Sequence, residues 1–147
     1  PTAPQKEDGY NVAFLGSVIS NDGWLSFAGA VYLIDHNTDT YAIRDTEGVP
    51  ADAVIDLGMS YRVVHLRLDF TFGQSWGGGG KFEISNDQTT WITVVNTSGV
   101  LGSGTYSFPP EYARYIRVTN NGIGGGALGE VQVFAVPPVR GTVIVIQ

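Results

Sequence analysis

From Arg62 to Phe72 the chain alternates: Val64, Leu66, Leu68, Phe70 and Phe72 fall on one side, and His65, Arg67, Asp69 and Thr71 on the other. A period of two places these residues in a β-strand with one buried face, a pattern that a helix cannot satisfy. Shorter stretches rich in Val, Ile, Thr, Phe and Tyr read the same way: Asn11–Ser20, Ala53–Leu57, Lys81–Ser85, Trp91–Val95, Thr105–Phe108, Arg114–Thr119 and Glu130–Val136. Turn-forming clusters lie between them, at 21–23, 77–80, 97–104 and 120–126. No stretch sustains a helical period, and no repeat of roughly 20–50 residues marks a propeller or solenoid. The expected fold is all-β, about eight strands in a jelly-roll sandwich of two antiparallel sheets.

With 147 residues, 43% of them hydrophobic and 15% charged, the chain can bury the core of one domain and is far from disordered compositions. Fourteen acidic against eight basic side chains give a net charge of −6, which disfavours nucleic acid as a partner. The absence of cysteine excludes a disulfide framework, a thiol nucleophile and a cysteine metal cage. No apolar run approaches the roughly 20 residues of a bilayer span, and the first nine residues do not read as a signal peptide, so membrane contact is not expected. A start at Pro1 reads as an excised domain or a processed product. Residues 1–10 are taken as a lead or linker and 11–136 as the sandwich. Residues 137–147 form an extension in which Pro137-Pro138 breaks the chain and Gly141–Gln147 is uncharged and β-prone. That extension either pairs as an edge strand or begins a neighbouring domain.

Four segments in order carry a family likeness: Asn11-Val12-Ala13 with Leu33–Thr40 (LIDHNTDT), Val54–Gly58 (VIDLG), Phe82–Trp91 (FEISNDQTTW), and Ala113–Val118 (ARYIRV) with Leu128–Phe134 (LGEVQVF). Together they resemble the discoidin family, or factor V/VIII type C domain, and most of all its bacterial relatives, the family 32 carbohydrate-binding modules of galactose-binding-like fold. Without the likeness, Ser85–Gln88 is a hairpin turn, Trp91 a core strand residue, and Arg114 and Arg117 surface or ion-pair residues.

Asp35, Asn37, Asp39 and Thr40 crowd oxygen donors into six residues, the ligand type hard cations prefer, although a plain turn with capping side chains would look the same. The loop lacks the glycine and distal glutamate of an EF-hand. The resemblance implies a structural calcium ion on Asp35, Asn37, Thr40 and Glu130, with backbone carbonyls of Tyr32 and Gly129 completing the shell. His36 stands where the family usually has glycine, so a positive φ there would cost backbone strain.

Catalysis is not expected. Only His36 and His65 are neutral-pH bases, His65 lies on the polar face of the alternating strand, and there is no Gly-x-Ser-x-Gly elbow or phosphate loop. A binding module needs only a platform aromatic and a few orienting polar groups. Trp24 and Trp76 sit beside turn clusters, and each is either a ligand platform or a partly buried loop anchor. The family meets its ligand with loops at one end of the sandwich, which makes Tyr41, Arg44, Gln74 and Asp22 the accompanying candidates. Arg44 is suited to paired hydrogen bonds with vicinal hydroxyls or a carboxylate.

The resulting expectation is a non-catalytic carbohydrate-binding module, taking a terminal galactose-type or amino sugar on a glycan. It would be one domain of a larger secreted, extracellular or cell-surface protein, or of a virion. The alternative is a structural or protein-interaction sandwich of such a protein, or of a phage tail, without sugar binding; burial of both loop tryptophans would favour it.

Overall fold

The computed structural model describes residues 9–136, apart from 27 and 38. Expectations for the lead before residue 9 and for the 137–147 extension therefore lie outside the described residues. Within them the regular structure is seven β-strands and three short 3-10 turns. The strands are β1 (Tyr10–Asn11), β2 (Ser17–Asp22), β3 (Ala51–Phe70), β4 (Gly80–Ser85), β5 (Ile92–Thr97), β6 (Gly104–Asn120) and β7 (Leu128–Val136). Every pairing is antiparallel.

Two pairs of expected strands prove to be single bent ones. Ala53–Leu57 and Arg62–Phe72 become the two arms of β3, and Thr105–Phe108 and Arg114–Thr119 those of β6. The β3–β6 register breaks between Asp56 and Tyr61, where both strands turn from one layer into the other. One layer runs β2, the first arm of β3, the second arm of β6, β4, β5. The other runs β1, β7, the second arm of β3, the first arm of β6. The expected opening strand is also divided: a 3-10 turn at Ala13–Leu15 separates β1 from β2. Asn11 organises that break, its Oδ1 accepting the N–H groups of Ala13 (3.1 Å) and Val133 (3.0 Å).

The core lies between the layers and includes Ile55, Leu66, Leu68, Phe82, Ile84, Ile116, Val118 and Val131. The alternation read from the sequence is offset at one end by an irregularity between Val63 and His65, so that Val63 is buried in place of Val64. It stops at Phe70, and Phe72 turns outward in a 3-10 turn at Thr71–Gly73. Trp91 is half-exposed instead of core: it falls one residue before β5, where its ring packs under the Arg117 guanidinium, 4.1 Å from the ring centroid. Arg114 and Arg117 are both ion-paired, to Asp56 and Glu83.

Because β3 and β6 double back, residues 51, 70, 104 and 120 gather at one pole, together with the ends of β2 and β5 and the starts of β4 and β7. The loops there are 23–29, 35–50, 71–79, 98–103 and 121–127. At the opposite pole Tyr10 pairs with Ala135, so the first and last described strands meet away from the loops.

Candidate functional site at the loop pole

The acidic turn comes first in chain order. A 3-10 turn at Ala30–Ile34, which contains Tyr32, delivers Asp35. His36 follows at φ 61°, the left-handed conformation foreseen for the family's glycine; histidine is among the non-glycine residues that tolerate it best. Asp35 Oδ1 accepts the Asn37 N–H (3.1 Å), Asn37 Oδ1 accepts the Asp39 N–H (2.9 Å), and the Thr40 hydroxyl lies against Asp35 Oδ2 and the Asn37 carbonyl. From the neighbouring strand, one residue past Gly129, Glu130 reaches the same turn, its Oε2 accepting the His36 N–H at 3.0 Å.

Glu130 is only 2% exposed, and its second oxygen, Oε1, is buried with no hydrogen-bond partner. Burial, reinforced by the Asp35 charge, pushes its carboxyl up to about 7 although the His36 N–H pulls the other way. Two carboxylates facing each other, one with an orphaned oxygen, beside amide and hydroxyl oxygens, form a donor set that fits a hard cation. Only Asp35 and Glu130 contribute charge: no group of three or more His, Cys, Asp or Glu converges among the described residues.

Both loop tryptophans lie inward, which removes them as stacking platforms. Trp24 is 8% exposed, bridges to Arg44 and donates from Nε1 to the Asp52 carbonyl at 2.8 Å. Trp76 is fully buried; its ring is stacked with Phe82, meets Phe70 edge-on, and donates from Nε1 to the Gly126 carbonyl at 3.1 Å. The glycines beside it serve that burial. A Cβ on Gly80 would come within 2.7 Å of the Trp76 ring, so the glycine run lets backbone close over the indole instead of displaying it.

Among the described residues, the exposed aromatic at this pole is Phe72, with φ 61° and 71% exposure, a position the alternation assigns to the core. Its ring stands edge-on to half-buried Tyr41, centroids 5.5 Å apart at 66°. The signal in the sequence was Gly73, a turn former directly after it; Gly73 also has positive φ. Two residues on, Gln74 Oε1 accepts the Ala127 N–H (2.8 Å), and the Thr71 N–H donates to the Ala127 carbonyl (2.9 Å), pinning this loop to the start of β7. Arg44 is buried beneath the final loop: a Cβ on Gly125 would lie 2.8 Å from its Nη2. That Nη2 pairs with exposed Glu47 at 2.6 Å, and Nε has no partner. Asp22 is exposed at the end of β2, in register with Asp52. Tyr41, Gln74 and Arg44 are thus gathered around the 71–74 and 121–127 loops, while Trp24 and Trp76 form their foundation.

The sequence profile of the F5/8 type C domain matches residues 16–131. The chain belongs to that family. No curated protein matches by sequence. Among solved structures, this F5/8 type C domain resembles chitosan-binding module 1 of a chitosanase/glucanase from Paenibacillus sp. IK-5, at 24% identity and TM-score 0.72, over 86% of this chain and 99% of that one. Module 2 of the same enzyme, in complex with chitotriose, aligns at 20% identity and TM-score 0.74, over 85% and 100%. The Clostridium perfringens module CpGH89CBM32-5, in complex with GalNAc-β-1,3-galactose, aligns at 18% identity and TM-score 0.73, over 86% and 100%. At these identities the likeness establishes the shared sandwich.

The motifs of the F5/8 type C domain have structural causes here. In VIDLG, Asp56 Oδ1 accepts the Gly58 N–H (2.8 Å), and the carboxylate takes Arg114 in a two-point grip (2.8 and 3.1 Å). That grip clamps the bend where β3 and β6 change layers, and the Arg114 hydrogen bond holds the Asp56 carboxyl below its usual range. In the Ser-x-Asp turn, Asp87 accepts the N–H groups of Thr89 and Thr90 and the Ser85 hydroxyl, closing the β4–β5 hairpin.

Proposed function

We propose that this F5/8 type C domain is a non-catalytic carbohydrate-binding module whose ligand face is the loop pole. The observation that carries the reading is the exposed Phe72 ring, braced by Tyr41 and set beside Gln74. An aromatic held in the open by backbone geometry presents its face to the C–H side of a sugar ring, while the neighbouring exposed Gln74 amide sets orientation. Buried Arg44, with an unpartnered Nε under the final loop, is positioned to fix that loop against a bound sugar.

Between a galactose-type sugar and an amino sugar, the charge around the pole favours the second. Asp22 and Asp52 stand side by side and Asp45 is tied through its N–H to Gly23, so a protonated amine meets carboxylates there. Chitotriose and GalNAc-β-1,3-galactose are ligands of its structural neighbours and are the natural probes. The reading also includes a structural calcium ion on Asp35, Asn37, Thr40 and Glu130, supported by the orphaned Glu130 oxygen. Such an ion would neutralise the facing carboxylates and fix the turn that hands the chain directly to Tyr41.

Burial of both loop tryptophans favours the second reading, a structural or interaction domain without sugar binding. Titration calorimetry with chitotriose, glucosamine oligomers and GalNAc-β-1,3-galactose separates the two. Saturable binding lost in Phe72→Ala supports the module. A folded, calcium-loaded domain that binds none of these sugars, nor any across a broad glycan array, supports the alternative.

A further inference from the structure

Along one flank of the sandwich, β5 of the first layer and the first arm of β6 in the second face each other across an open cleft. Two hollows of about 310 and 240 Å³ share Ile92 and Glu111 in their walls and run into one another. Ile92 and Val94 of β5 line one side, and Phe108 and Pro109 of β6 the other. The cleft continues to exposed Tyr112, at the pole opposite the loops.

Three features describe what would fill it. Ile92 is in register with Ile84, which is fully buried, yet Ile92 is 44% exposed, because nothing among the described residues covers the core-facing side of the sheet there. Next, β5 ends the strand order, so its outer main-chain groups have no strand partner among the described residues. Natural edges are blunted with lysine, proline or inward charges, and Ile92–Thr97 carries none of these; its one irregularity, at Val94, aims that side chain into the cleft. The facing edge differs: Pro109 and Pro110 have no N–H, so β6 cannot template a strand there. Finally, Glu111 on the rim has no ion-pair partner among the described residues, and Asp87 nearby is kept ionised by the N–H groups of Thr90 and Thr89.

We propose that this cleft docks an extended, basic segment of a partner protein. The segment adds as a strand to the outer edge of β5, seats alternate apolar side chains over Ile92 and Phe108, and sets a lysine or arginine against Glu111. A cationic partner is specified by the rim carboxylates together with the net charge of −6. The site is independent of the sugar-binding reading: its walls share no residue with the 71–79 and 121–127 loops, and only the far end of β5 reaches the loop pole.

The test is a titration of the isotope-labelled domain with a blocked octapeptide alternating lysine and valine, followed by amide NMR and hydrogen exchange. The expected result is saturable amide shifts confined to residues 92–95, 107–108 and 111–112, with slowed exchange at the outward-facing β5 amides. Glu111→Lys should weaken the affinity at least ten-fold, as should Ser107→Trp, an exposed position on the cleft wall. A peptide with glutamate in place of lysine should not bind. Phe72→Ala should leave peptide binding unchanged while removing sugar binding, so each site fails separately. Shifts spread over the acidic surface without saturation, shifts at the loop pole, or binding indifferent to both cleft variants would overturn the proposal. So would concentration-dependent β5 protection without peptide, which would make the occupant a second copy of this chain.

Discussion

Phe72 leans edge-on against Tyr41, centroids 5.5 Å apart, at a pole where the two neighbouring tryptophans are turned inward. If Phe72 is the platform, Phe72→Ala should weaken amino-sugar binding by ten-fold or more. Unfolding free energy should change by no more than about 0.5 kcal/mol, as expected for an exposed side chain. Calorimetry paired with urea unfolding reads both quantities on the same protein.

Trp76→Ala should behave in the opposite way. Removing a fully buried indole that packs on Phe70, Phe82 and Trp24 should cost about 3–5 kcal/mol, a large share of a typical domain's stability. Urea unfolding should show the loss directly, and any fall in sugar affinity should track the unfolded fraction.

Calcium should raise the melting temperature and a chelator should reverse the rise. At calcium 100-fold above its dissociation constant the gain is about 2.7 kcal/mol. Glu130→Gln should abolish the calcium-dependent shift while leaving a folded domain, since the amide keeps the size of the buried group. A calcium response that survives this change would place the ion elsewhere.

Acid sensitivity should come from two clamps. The hydrogen bonds from Arg114 to Asp56 and from Arg117 to Glu83 hold both carboxyls below their usual range. Their contribution is fully present above the unfolded-state values of about 4 and disappears as pH falls through the lower folded-state values. Stability followed by denaturant midpoint should therefore be flat from about pH 7 to pH 5 for these groups and drop below about pH 4. Asp56→Asn should be less stable at neutral pH and show a shallower acid limb.

Much of the architecture was legible because alternation and turn chemistry report on local geometry, and Leu66, Leu68 and Phe70 fall inside as their spacing requires. The bends were not legible: residues 57–60 look like a loop between two strands, whereas the Asp56–Arg114 grip carries one strand through the corner. That Tyr41, Gln74 and Arg44 share the loop pole was legible because collinear motifs located their loops. Trp24 and Trp76 were misplaced for a physical reason. Adjacent glycines mark a turn equally well whether it opens to solvent or closes over an indole, and only the approach of Gly80 to Trp76 distinguishes the cases. Phe72 escaped because a period-two pattern carries no record of where its strand ends.

The pairing of Tyr10 with Ala135 brings the chain in and out of the sandwich side by side. Flanking polypeptide can therefore grip this unit like the stem of a goblet: it can be strung on a linker or spliced into a surface loop of a host protein without straining either. Measured from that junction, the rim with Phe72 stands at the far end of the unit, a full strand length away, so a host joined at Tyr10 and Ala135 leaves it uncovered.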